Sequence, residues 1–145
     1  MTYRYSMLYI TLMHKKHKGK ISPGFRGRIW IDGKEGTFLG YGRIVLLERI
    51  REHGSITKAT GSMEMSYRNA WELVDSMNTQ ASRPLVKSAA GGKGGGGAIV
   101  TAEGEKAIKL FWEFHEDFQN FLRHEENKLM LSKSTQQGKI KNKGR

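Results

Sequence analysis

The stretch Met65-Ser-Tyr-Arg-Asn-Ala-Trp-Glu-Leu-Val-Asp-Ser-Met-Asn78 gathers the residues best suited to reading bases. Ser66 is placed to cap a helix, and a helix N-terminus attracts phosphate while its first turn can meet base edges. The Arg68 fork can bridge O6 and N7 of a guanine, and the Asn69 amide can do the same for N6 and N7 of an adenine. Tyr67 and Trp71 stand four apart and so share one helical face, which suits either a groove contact or the protein core. Ser55, Thr57 and Lys58, just upstream, join the candidate DNA contacts. So does Lys93, the cation of a glycine loop, whose bare backbone lets it approach a phosphate closely.

Other chemistries find little support. Gly92, Gly94 and Gly97 satisfy the spacing G-x-G-x-x-G, but that fingerprint needs a strand before it and a helix opening at its end. Here a second strand is expected to follow, so a wing is the better reading. His14, His17, His53, His115 and His124 have no H-E-x-x-H spacing, and there is no cysteine for a thiolate or a zinc site. No G-x-S-x-G is present. The expectation is a protein that is not an enzyme and holds no metal and no cofactor.

The elements that must position these residues follow from periodicity. Arg28 to Leu39 reads as two short strands around a turn at Asp32-Gly33. Arg43 to His53 has helical spacing, with Ile44, Leu46, Leu47 and Ile50 as one buried stripe and charges at Glu48, Arg49, Arg51 and Glu52. Gly54 stops it, and Ser55 or Thr57 can cap a second short helix through about Thr60. A third helix runs from Tyr67 to about Gln80, with Ala70, Leu73, Val74 and Met77 inward. Leu85 to Ser88 and Ala98 to Thr101 bracket the glycines 91–97 as two strands. From Ala102 to Leu131 a long helix is expected, with Ala107, Phe111, Phe114, Phe118 and Phe121 forming a heptad seam for a dimer.

The chain of 145 residues carries a formal net charge of +11, which favours a polyanionic partner. Residues 1–40 hold eight basic and two acidic groups, and residues 132–145 hold five basic groups and no acidic one. Residues 102–131 hold seven acidic groups against four basic, so that segment is expected to face something other than DNA. The apolar run Met7–Met13 is too short to cross a membrane and is followed by basic residues instead of a cleavage site. Residues 1–19 are expected to be a poorly ordered leader, with a hydrophobic strand as the alternative. Residues 132–145 are expected to be a basic, disordered tail. Without cysteines the chain suits a reducing cytoplasm.

Several blocks together resemble a known family. Gly42-Arg-Ile-Val-Leu-Leu-Glu48, Gly54-Ser-Ile56, Met65 to Asp75, and Gly91 to Ala98 followed by Thr101 are similar to the N-terminal DNA-binding domain of the ModE molybdate-responsive regulators. Ile99-Val-Thr-Ala-Glu-Gly104 is also similar to the wing-to-linker junction of LysR-type regulators. The resemblance implies a homodimeric winged-helix transcription factor with a basic wing and a long C-terminal helix that makes the dimer. Molybdate sensing does not carry over, because the sequence continues from the long helix into a basic tail, and no molybdate binding is expected. The sequence also departs from the family at Glu64, where a glycine is usual. A left-handed Glu64 would cost about 1 kcal/mol or more, which leaves open a turn of different construction.

The fold expected is mainly α with small β: a winged helix-turn-helix over residues 20–101, with an N-terminal β-hairpin and a dimerisation helix over 102–131. The function expected is sequence-specific binding of double-stranded DNA by a homodimer that regulates transcription, away from any membrane. Helix 66–80 would enter the major groove and the wing 91–97 would lie on the backbone. The alternative is a nucleoid or architectural protein of low sequence specificity.

Overall fold

The computed structural model describes residues 24–92 and 95–141, and side chains within them at 24–90 and 96–130. The leader 1–19 and Lys93 therefore lie outside the described residues. The element order is β1 (Trp30–Gly33), β2 (Gly36–Gly40), α1 (Tyr41–His53), α2 (Ile56–Gly61), α3 (Tyr67–Gln80), β3 (Val86–Gly92), β4 (Gly95–Val100) and α4 (Ala102–Lys141). Three short helices, an antiparallel β-hairpin and a long helix form a winged helix-turn-helix, preceded by a separate two-stranded hairpin. The chain divides into two compact units: Gly27–Phe121, which holds this motif with α4 as far as Phe121, and residues 1–26 with 122–145.

The first hairpin turns two residues later than its Asp-Gly pair suggests. Gly33 pairs with Gly36, the turn is Lys34-Glu35, and the register shifts between Ile31 and Asp32. Gly36 takes the positive φ that closes the turn, at 98°. Asp32 instead accepts a hydrogen bond from the Thr37 hydroxyl at 3.3 Å.

α1 is buried on more than one stripe: Ile44, Val45, Leu46, Leu47, Glu48 and Ile50 are all inside. It is the central helix, covered on several sides, which accounts for the charged Glu48 lying in the core. Gly54 ends α1 in the left-handed region at φ 66°, and its N–H bonds the Ile50 carbonyl. Ser55 caps α2 by accepting from the Lys58 N–H at 3.4 Å. The next turn passes through Glu64 at φ 44°, the left-handed conformation that its side chain disfavours. The turn is thus built with a left-handed residue, and α2 ends at Gly61.

The core of the Gly27–Phe121 unit joins α1 to Ala59, to Ala70, Val74 and Met77 of α3, to Leu85, Val86 and Ala98 of the second hairpin, and to Ala107, Ile108, Phe111 and Trp112 of α4. Ala107 and Phe111 were expected in a dimer seam; they are instead buried within their own domain. A heptad stripe serves either a partner helix or the domain the helix leaves, and the first turns of α4 pack on that domain. The helix also continues beyond Leu131 to Lys141, where a disordered tail was expected. No proline interrupts Ser132–Lys141, so the backbone can carry the helical ladder on. In the other unit, Glu125 accepts from Lys128 at 2.8 Å, which lowers the Glu125 pKa, and Gly24 lies against the carboxylate of Glu126.

Candidate nucleic-acid interface

α3 starts where the sequence places it, because Ser66 is extended and its hydroxyl oxygen accepts the Asn69 N–H at 3.1 Å. No acidic side chain occupies the first turn, so the partial positive charge of this helix end is left for an anion. The inward residues are Ala70, Val74 and Met77, with Leu73 partly buried, as their spacing predicts. Tyr67, Arg68, Asn69, Trp71, Glu72, Asp75 and Thr79 are exposed.

With about 3.6 residues per turn, the outer face of α3 carries Arg68, Glu72, Asp75 and Thr79. All four are exposed. Arg68 is held by Glu72 through Nε–H···Oε1 at 3.0 Å, an exposed pair of little energetic weight on its own. Tyr67 and Trp71 lie on the flank facing the second hairpin, 53% and 51% exposed, so neither belongs to the core. Asn69 is exposed on the opposite flank, the side on which Ser76 accepts from Arg43 and Gln80 donates to the Thr37 carbonyl. The structure therefore brings Tyr67, Arg68 and Trp71 together and sets Asn69 apart from the two aromatics.

A groove of about 330 Å³ separates this aromatic flank from the hairpin β3–β4 and the start of α2. Thr57, Lys87 and Ser88 also line it, and Gly96 and Gly97 leave its far wall bare of side chains. Lys58 and Thr57 are exposed, and Ser55 is half-buried with its hydroxyl engaged as a cap. Lys87 is a groove cation that sequence reasoning missed; its place on the strand that opens the glycine hairpin was the available signal.

The hairpin strands reach further into the glycine run than predicted, with Ala89 paired to Gly97 and Gly92 to Gly95. Their roots are fixed to the helices. Asn78 of α3 accepts from the N–H groups of Leu85 and Val86 at 2.8 and 3.1 Å, and donates to the Val86 carbonyl at 2.9 Å. On the other strand the Ala98 N–H donates to the Gly54 carbonyl at 2.9 Å. A Cβ on Gly97 would press on that same carbonyl at 3.3 Å, which accounts for glycine at this position. Thr101 then ties the exit of β4 to Pro84 and Leu85, its hydroxyl donating to the Pro84 carbonyl at 2.7 Å.

Along α4, Leu110, Phe114 and Phe121 are exposed at spacings of four and seven and form one apolar stripe. Phe118 is half-buried and lies against Gly27, where a Cβ would strike its ring. Among the described residues no helix is long and apolar enough to cross a membrane.

No family model matches the chain. Individual relatives do. The molybdenum transport protein ModE of Azotobacter vinelandii is 38% identical over 98 residues, covering 68% of this chain and 36% of that protein. The transcriptional regulator ModE of Yersinia pestis is 45% identical over 69 residues, 48% of this chain and 26% of its own length. The DNA-binding transcriptional dual regulator ModE of Escherichia coli strain K12 is 42% identical over 69 residues, again 48% and 26%. The chain thus spans only about a quarter to a third of the length of these relatives. The match falls on the N-terminal part of these relatives, and together with the winged helix-turn-helix it makes this chain similar to an N-terminal domain of the ModE type.

Proposed function

We propose that this chain is a sequence-specific double-stranded-DNA-binding regulator of transcription that acts as a homodimer. α3 enters the major groove with Arg68 toward base edges, and the β3–β4 hairpin lies along the adjacent backbone. The observation that carries this reading is the exposed face of α3 beside a hairpin anchored to the same helix by Asn78. Relatives named as transcriptional regulators support it. The exposed stripe of Leu110, Phe114 and Phe121, with Phe118 at its edge, is the surface assigned to the partner copy. Ala107 and Phe111 take no part in it. No catalytic step belongs to the reading.

The test is competition between a duplex selected from a random pool and random duplex, repeated across a salt series. A regulator prefers its site by about 10³-fold or more. A protein that binds both equally, with the same salt slope, is architectural, and the regulator reading is then wrong.

A further inference from the structure

Tyr67 and Trp71 are large, apolar and half-exposed, and they stand side by side on the flank of α3 that faces the groove. About half of each ring is left uncovered by the described residues, and exposing two such rings costs solubility without helping stability. Of the cations that suit phosphate, Lys87 on β3 lines the same groove and Lys58 on α2 is exposed. On the outer face Arg68 is already matched by Glu72. The aromatic flank is therefore the apolar part of a reading surface whose polar part lies beside it.

We infer that Tyr67 and Trp71 recognise thymine C5-methyl groups in the major groove of duplex DNA. This deepens the regulator reading and rests on it. The thymine methyl is the one apolar group that base edges present in that groove, and apolar side chains are its natural complement. The spacing agrees. Four residues of helix advance about 6 Å, close to two base steps of about 3.4 Å each. The two rings thus address positions two base pairs apart and specify thymine there by burying its methyl, while Arg68 supplies the hydrogen-bond readout.

The experiment uses the full chain and a duplex that it selects from a random pool. That duplex is synthesised once with thymine and once with uracil, which retains every hydrogen-bonding group and lacks only the methyl. Binding should weaken about three- to fivefold for each contacted methyl removed. Trp71→Ala and Tyr67→Ala should weaken binding to the thymine duplex and leave binding to the uracil duplex nearly unchanged, so that the ratio between them falls toward one. Because both side chains are half-exposed, the variants should melt like the parent, which circular dichroism checks. Equal affinity of the parent for the two duplexes overturns the assignment while leaving the regulator reading in place. So does an aromatic variant that loses the same factor on both. A pool that yields no preferred duplex overturns the regulator reading and this assignment with it.

Discussion

The indole N–H of Trp112 donates to the Glu48 carboxylate at 2.9 Å inside the core, with the two residues only 8% and 5% exposed. Glu48 Oε2 has no hydrogen-bond partner among the described residues, and the Arg51 guanidinium reaches Oε1 only at 3.9 Å. Burial raises the Glu48 pKa, and the Trp112 bond with the charges of Arg51 and Arg49 pulls it only partly back. In the folded state the carboxyl therefore holds its proton to higher pH than in the unfolded chain. The stability this confers is fully present below the unfolded value of about 4.5 and is lost as pH rises through the folded value. Glu48→Gln keeps an acceptor for Trp112 and removes the titration. Its stability relative to the parent should rise as pH rises from about 4.5 through the folded value. Parallel stability curves from denaturant titration at each pH would show that Glu48 ionises normally.

Asn78→Ala removes the acceptor of two buried N–H groups, those of Leu85 and Val86. The expected loss is about 2–3 kcal/mol in urea unfolding. Asn78→Asp retains the acceptor and loses the bond to the Val86 carbonyl, so it should fall between the two. An alanine variant as stable as the parent would mean that the hairpin root is held by its packing alone.

Glu64 stands at φ 44° between α2 and α3. Glu64→Gly should stabilise the domain by about 0.5–1 kcal/mol, because relief of the left-handed strain exceeds the added freedom of the unfolded chain. Glu64→Val should destabilise it, since a β-branched residue tolerates positive φ least. Thermal melts of the pair should move in opposite directions. Shifts of the same sign would contradict the strained turn.

The α4 residues should separate by role. Phe114→Asp and Phe121→Asp act on an exposed stripe and should leave folding intact while producing a monomer in sedimentation at micromolar concentration. Phe111→Ala acts in the core and should cost about 3–5 kcal/mol of stability. A parent protein that sediments as a monomer would remove the homodimer from the proposal.

Arg68→Ala should cost about 1–3 kcal/mol on the selected duplex and relax preference at one base pair. Asp75→Asn, two turns further along the same face, should tighten binding to random duplex by removing a charge repelled by phosphate. Filter binding of each variant to both duplexes reads these effects. Equal losses for Arg68→Ala on selected and random DNA would show that Arg68 contacts only the backbone.

The helix from Tyr67 to about Gln80 was legible, because Ser66 caps it and its apolar residues keep helical spacing throughout. Gly54 likewise marked the end of α1. What stayed hidden depended on distant partners. Glu48 reads as a wet charge until Trp112, 64 residues away, is seen to hold it. Ala107 and Phe111 share the heptad phase of Phe114, Phe118 and Phe121, and phase alone does not say which surface meets a stripe. The first turn was misplaced because Asp32-Gly33 matches a hairpin pair, whereas the positive φ falls at Gly36 after a bulge. Asn78 looked like one more polar residue near a helix end; only the fold brings the strand start to its amide.

The anchoring of the hairpin by Asn78 and by the Gly54 carbonyl bears on the kinetics of recognition. These bonds fix the strand roots to α3 and to the end of α1 in the free chain, so on the proposed reading a duplex need not wait for them to assemble around it. The ordering of the strand roots belongs to folding and is absent from the encounter, which spares affinity that an adaptable loop would forfeit. On that reading association is governed by orientation and by long-range attraction between charges, and differences among sites are expressed chiefly in how slowly each complex comes apart.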